Sequence, residues 1–382
     1  MGIYLDYNAS TPVDERVLAR MVDIYRNHYG NASSRTHQFG SDANHVTETA
    51  RQQLADLLKV PKETVCFTSG STESNNMAVL GLEHYGRKTG KMHIITTAIE
   101  HKSILEPCKV LGERGFEVDY IAPHGDGRIH AEDVLNKVRS DTMLVSIMHV
   151  NNETGTIQPV QEIGQALSGQ EVYFHIDASQ SCGKMVKELQ ELPYDLLSLA
   201  AHKMYGPQGI GALIVKNKNG KKSDIEAISY GGGQERGLRP GTLPVALIGG
   251  LGEAALILGK EYAENQKLYR SNRDMILRVL RDSGVKYQIN GNPTFGIDNT
   301  LNISFQNYDS EALMLGVREI AGISNGSACT SSNYAPSYVL QAMGLDQKRI
   351  ESAVRISWGK EQIDEAVFWQ IAESVKGWQG ET

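Results

Sequence analysis

Seven short, nearly continuous apolar runs, most of them separated by a stretch long enough for a helix, constrain this chain more than any other feature. They fall at Val65–Thr68, His93–Thr97 and residues 118–121, 143–148, 173–176, 196–199 and 212–215. A strand that reads apolar on both faces is covered on both faces, and intervening helices supply the cover. The pattern therefore predicts an α/β fold with a largely parallel sheet. Helical stripes accompany it: Val17, Leu18, Met21 and Tyr25 share one face, as do Val46, Ala50, Leu54 and Leu58. Beyond the alternation come a long apolar helix after Leu243, a charged helical stretch near residues 261–281, a strand near 301–305 and a final helix. We read a large domain over residues 15–257 and a smaller α/β domain from residues 1–14 and 258–382.

A chain of 382 residues is long enough to bury two cores. Its 38 Lys and Arg against 45 Asp and Glu give a formal charge of −7, which argues against tight nonspecific nucleic-acid binding. The most apolar segment, residues 243–259, carries Pro244, glycines and Glu253 and reads as a buried helix rather than a membrane span. The opening Met-Gly-Ile-Tyr-Leu-Asp lacks the basic and apolar regions of a secretory leader, so a cytoplasmic protein is expected. Four cysteines, Cys66, Cys108, Cys182 and Cys329, lie far apart with no CxxC pair, which excludes a sequence-local zinc knuckle or redox dithiol. No metal site is expected.

In parallel α/β sheets the ligand sits beyond the carboxyl ends of the strands, so residues just after the apolar runs matter most. Residues 68–76, Thr-Ser-Gly-Ser-Thr-Glu-Ser-Asn-Asn, follow one run and open a helix. They form either a phosphate cradle of backbone N–H groups or a helix capped by Ser71 or Thr72 with no ligand. The Gly-Lys-Ser/Thr ending of a P-loop is missing. Asp177 ends another run and suits a metal ligand, a general base, a partner for a protonated ring nitrogen, or a plain cap. Lys203 follows the next run. A single lysine is most often a solvated charge, but one held in a cleft forms Schiff bases. An anion site, a carboxylate and a lysine on neighbouring strand ends together are what pyridoxal phosphate (PLP) requires.

These segments, with His149-Val-Asn-Asn-Glu-Thr-Gly155, Arg239-Pro-Gly-Thr-Leu-Pro244 and Asn325-Gly-Ser-Ala-Cys-Thr-Ser331, resemble the cysteine desulfurases in order along essentially the whole chain. That family comprises fold-type I PLP enzymes within the class V aminotransferases, and the segment around Cys329 is similar to the cysteine loop of its NifS/IscS-like class. The resemblance implies a large domain with a mainly parallel central sheet flanked by helices, plus a smaller α/β domain carrying a mobile cysteine loop at about residues 323–335. It implies that Lys203 holds PLP as a Schiff base and then acts as a base, and that Asp177 keeps the ring nitrogen protonated. His101 is placed over the ring, and Gln180 and Asn152 around its phenolic oxygen and the substrate. Ser71, Thr72 and His202 are implied phosphate ligands, with Thr242 reaching in from a partner subunit of a homodimer. Arg355 is implied to grip the substrate carboxylate through two parallel hydrogen bonds, with Asn8 and Asn152 beside it. Cys329 is implied to take sulfur from L-cysteine as a persulfide, leaving L-alanine, and to pass it to an acceptor protein. Cys66, Cys108 and Cys182 read as packing.

Two departures stand out. Ala200 occupies a position where the family usually has a phosphate-binding serine, a loss of roughly 1.5–3 kcal/mol for a bond to a charged group. The chain also stops soon after Trp378, where housekeeping members carry a tail that docks the iron–sulfur scaffold. A dedicated acceptor is then expected: an iron–sulfur or nitrogen-fixation scaffold, a tRNA-thiolation protein or a DNA-phosphorothioation protein. The rival readings are another PLP lyase or aminotransferase of this fold, and a low-turnover PLP-bound sulfur-relay scaffold. No membrane partner and no direct nucleic-acid binding are expected.

Overall fold

The computed structural model describes residues 2–325 and 336–379. All seven apolar runs form one sheet, in the spatial order Val65–Thr68, Gly211–Val215, Leu196–Ala200, Tyr173–Asp177, Thr142–Met148, His93–Thr97, Glu117–Ile121. Gly211–Val215 runs antiparallel to both neighbours, and the other pairings are parallel. Interior strands such as Thr142–Met148 and Tyr173–Asp177 are buried at every residue, as expected for strands covered on both faces. The edge strand Glu117–Ile121 keeps exposed residues instead. The strands extend past their apolar runs by a polar or small residue, and in this way Asp177 and Ala200 become the last residues of their strands.

Two expectations need correction. The helix Glu15–Asn27 buries Val17 and Ile24, whereas Leu18 and Tyr25 are exposed. Val17 and Ile24, two helical turns apart, share the inward face; Leu18 and Tyr25 are each one residue further on, turned about 100° around the axis. Secondly, the apolar helix after Leu243 and the charged stretch behind it are one helix, Val245–Asp282, of 38 residues. Its first half packs on the helix Gln38–Leu58 at close range. A Cβ on Gly252 would lie 2.5 Å from Ala50 Cα, so only glycine admits the contact.

This long helix enters two apolar cores. Ile248, Leu251, Ala254, Ala255 and Leu258 join the core of the large sheet. Tyr269, Ile276, Val279 and Leu280 join a second core, with Leu301, Ile303, Val354, Ile356 and Phe368. Each fully buried aliphatic side chain stabilises its core by roughly 1.5–3 kcal/mol. The second core lies on a three-stranded antiparallel sheet, Tyr287–Asn290, Thr300–Phe305 and Ala353–Ser357, and on the helix Glu365–Gln379. The first residues belong here too: Ile3–Tyr4 pairs with Ala321–Gly322, and Asp6 bridges to Ser357. The N-terminal segment thereby carries Asn8 from the second core to the carboxyl end of the large sheet. Among the described residues, no helix is long and apolar enough to cross a membrane.

Candidate active site

A cleft of about 380 Å³ opens at the carboxyl ends of the large sheet's strands. Successive strand ends supply Ser71 and Thr72, His101, Asn152, Asp177 with Gln180, and His202 with Lys203; Asn8 and Arg355 come from the segments of the second core. Ten of the twelve residues singled out in the sequence thus converge on one cavity. Thr242 is exposed and does not line it. Cys329 lies outside the described residues.

At one end of the cleft the helix Ser71–Leu80 begins. Its N-cap is Gly70, not Ser71 or Thr72, and no side chain caps it. Gly70 has φ +154° and ψ 179°, a conformation that belongs to glycine. Ser71 and Thr72 are the first two helical residues, at the end where N–H groups and helix dipole favour an anion. Glu73 in the same turn opposes that charge and is neutralised by Arg239, Nε to Oε1 3.0 Å. Arg239 thereby ties the 239–244 motif to this helix.

Asp177 is buried, and donors hold both of its oxygens. Asn75 Nδ2 donates to Oδ2 at 2.8 Å, Ser179 N–H donates to Oδ1 at 2.9 Å, and the Ser179 hydroxyl donates to Oδ1 as well. Donors to both oxygens fix the plane of the carboxyl group. His101 is the N-cap of the helix Lys102–Glu113, its Nδ1 accepting from Ser103 N–H at 3.1 Å. The neutral ring therefore carries its proton on Nε2. Burial lowers its pKa; the Asp177 charge opposes this in part, and the positive charges of Lys203 and Lys102 add to the lowering. His202 is likewise pushed down, to about 4, by burial and by Lys203.

Lys203 closes the short turn Ala201–Lys203, and its Nζ donates to the carbonyls of Asn8 and Ala9, the latter at 2.8 Å. Arg355 Nη2 meets Asp6 Oδ1 at 2.6 Å, and its Nη1 donates to the Asn152 carbonyl at 3.0 Å. Two buried polar atoms of cleft residues, Asn152 Oδ1 and Arg355 Nε, have no partner among the described residues. Unsatisfied buried groups are costly unless a ligand or water meets them. An uncapped helix end, a pinned carboxylate, a lysine amine and these two atoms are a donor set that fits PLP with an amino-acid substrate.

Sequence reasoning missed Asn75, Asp6, Glu100 and Lys184. Glu100 is fully buried behind His101, accepting from Thr97 Oγ1 at 2.7 Å and Met148 N–H at 3.0 Å, and burial pushes its pKa up to about 8. Lys184 lies four residues after Gln180, but nothing in that spacing distinguishes a buried lysine from a surface one. Cys66, Cys108 and Cys182 are all buried, and burial raises each thiol's pKa, to about 12 for Cys66 and Cys182. Such thiols stay protonated and inert, in keeping with packing roles.

The sheet order and a strand-end lysine–carboxylate cleft define a PLP enzyme of fold-type I. Residues 3–367 match the family Aminotransferase class-V, and the chain belongs to that PLP-dependent family. Within it, the chain is similar to "Cysteine desulfurase IscS" of Pasteurella multocida (strain Pm70), 45% identical over 97% of this chain and 91% of that one. A solved structure titled "NIFS-LIKE PROTEIN" superposes with a TM-score of 0.89 at 36% identity, covering both chains completely. Another, "SspA in complex with cysteine", has a TM-score of 0.81 at 35% identity, covering 94% of this chain and 100% of that one.

Proposed function

We propose that this chain is a PLP-dependent cysteine desulfurase that converts L-cysteine to L-alanine and transfers the sulfur to Cys329 and then to an acceptor protein. The observation that carries the reading is the convergence of Lys203, Asp177 and the uncapped Ser71–Leu80 helix end on one cleft. PLP, when bound, supplies an electron sink that makes the substrate's Cα–H acidic and its sulfur open to attack. Ser71, Thr72, His202 and the helix end would hold the cofactor's phosphate. Asp177, fixed by Asn75 and Ser179, would hold the ring nitrogen protonated, with His101 a further ring contact. Gln180 and Asn152 would hydrogen-bond to the phenolic oxygen and the substrate. Lys203 would supply the amine that holds the cofactor and the base that moves the substrate's Cα proton. Arg355 and Asn8 orient the substrate, Arg355 through its carboxylate.

In the transfer step the Cys329 thiolate bonds to the substrate sulfur and the substrate's Cβ–S bond breaks, its electron pair staying with carbon. Carbon is reduced and sulfur oxidised, so L-cysteine plus one thiol gives L-alanine plus one persulfide. The solved relative named as a cysteine complex supports that substrate class. The protein works as a cytoplasmic homodimer, with Thr242 completing the partner's phosphate site and residues 15–257 and 1–14 with 258–382 as its two domains. The acceptor belongs to iron–sulfur assembly, tRNA thiolation or DNA phosphorothioation. The test is incubation of purified protein with L-cysteine, measuring alanine and sulfide beside a Cys329→Ala variant. The variant is expected to lose sulfide release; equal release by both proteins overturns the persulfide route.

A further inference from the structure

The most unusual group near the cleft is a lysine that the reaction above does not use. Lys184 is buried, 4% exposed, and its Nζ donates to Gln180 Oε1 at 2.7 Å and to Asn8 Oδ1 at 2.9 Å. Burying an amine without a carboxylate partner is costly, so a chain that does so gains something from the donor. Desolvation, reinforced by the positive charges of Lys203 and Arg355, drives its pKa far below the ordinary lysine value.

A donor at this point decides which way two amides face. Each amide oxygen must turn to Lys184, so each amide nitrogen turns away. Gln180 Nε2 then donates to the Asn8 carbonyl at 2.9 Å, and Asn8 Nδ2 donates to the Asn152 carbonyl at 3.2 Å and to Thr300 Oγ1 at 3.0 Å. Those same two carbonyls hold the cleft's cations. The Asn8 carbonyl accepts from Lys203 Nζ, and the Asn152 carbonyl accepts from Arg355 Nη1. Flipping either amide would set an N–H against the Lys184 donor and remove a donor from a cation-bearing carbonyl's shell. We infer that Lys184 is a positioning residue: it locks the Asn8 and Gln180 amides and, through them, sets where Lys203 and Arg355 stand. This rests on the roles proposed above for Lys203 and Arg355.

The test is Lys184→Met, which keeps length and apolar stem but no donor, measured on the PLP-loaded protein. KM and kcat for L-cysteine are read separately, with the visible absorption of the bound cofactor before substrate and the melting temperature. The expected result is a folded protein with KM raised about tenfold and a displaced cofactor absorption maximum. In the double variant Lys184→Met/Asn8→Ala the effect on KM should be smaller than the product of the two single effects, because contacting residues in one network are not additive. Unchanged KM and absorption in Lys184→Met, or multiplicative effects in the double variant, overturn the inference. If Lys184→Met does not fold, Lys184→Gln, too short to span both oxygens, carries the same readouts and the same criteria. A wild-type protein that takes up no PLP or releases no alanine counts against the desulfurase reading; an active wild type with an indifferent Lys184→Met counts against Lys184 alone.

Discussion

Arg355 and Asp6, 349 residues apart in the chain, meet Nη2 to Oδ1 at 2.6 Å with side chains only 4% and 18% exposed. The pairing holds one edge of the guanidinium in place, and Nε, beside the cleft, has no partner among the described residues.

If Arg355 binds the substrate carboxylate as proposed, an Arg→Lys change destroys that site, because an ammonium offers no planar fork. Arg355→Lys should raise KM for L-cysteine about tenfold, a loss of about 1.4 kcal/mol, with a smaller effect on kcat. Asp6→Asn should act in the same direction, more weakly. Steady-state kinetics decide it, and a KM within twofold of wild type removes Arg355 from substrate binding.

Asp177 invites a different test. Asp177→Asn keeps the shape and the Ser179 contacts but not the charge. PLP should still bind, as visible absorption will report, whereas alanine formation should fall at least about a hundredfold, or about 2.7 kcal/mol in barrier. An active Asp177→Asn enzyme would mean that the carboxylate does not govern the ring nitrogen.

Ala200 ends its strand, fully buried, three residues before Lys203. If this position serves the phosphate, as the resemblance implies, Ala200→Ser restores one hydroxyl to it. PLP affinity should increase about tenfold, the equivalent of one hydrogen bond of about 1.5 kcal/mol to a charged group. Equilibrium dialysis of the cofactor measures it, and an unchanged Kd places the position out of the phosphate's reach.

Glu100 gives a pH test of stability without cofactor. Burial pushes its carboxyl up from 4.5 to about 8. It contributes stability that is present below about 4.5 and is lost as pH rises through 8, because the unfolded chain releases a proton that the folded one keeps. Glu100→Gln removes that loss, so the stability of the variant relative to wild type should increase by about 1.4 kcal/mol per pH unit between about 4.5 and about 8. Denaturant titrations of both proteins over that range test this, and a difference that does not change with pH removes Glu100 from the dependence.

Much of this protein is legible in its order of residues. The apolar runs are local facts: a strand buried on both faces reads apolar at every position, so all seven strands, and the strand ends that carry Asp177 and Lys203, follow from them. Helix faces are less secure. The run Val17, Leu18, Met21, Tyr25 has helical spacing, yet only contact with the long helix decides that Val17 and Ile24 turn inward while Leu18 and Tyr25 face water.

By itself the sequence determined the strands, the carboxyl-end cleft and the lysine–carboxylate pair that marks it, because short-range periodicity and the residue at each strand's end encode them. Only the tertiary structure decided that Val245–Asp282 serves two cores, that Gly70 rather than Ser71 caps its helix, and that Lys184 is buried. The last case shows why. A lysine's environment is not written in its neighbours: Asn8, which turns Lys184 into an internal donor, lies 176 residues away, and Asp6 lies 349 residues from Arg355. Such contacts exist only once both cores have packed and the N-terminal segment has crossed between them, so their energy belongs to the assembled fold and leaves no local trace in the sequence.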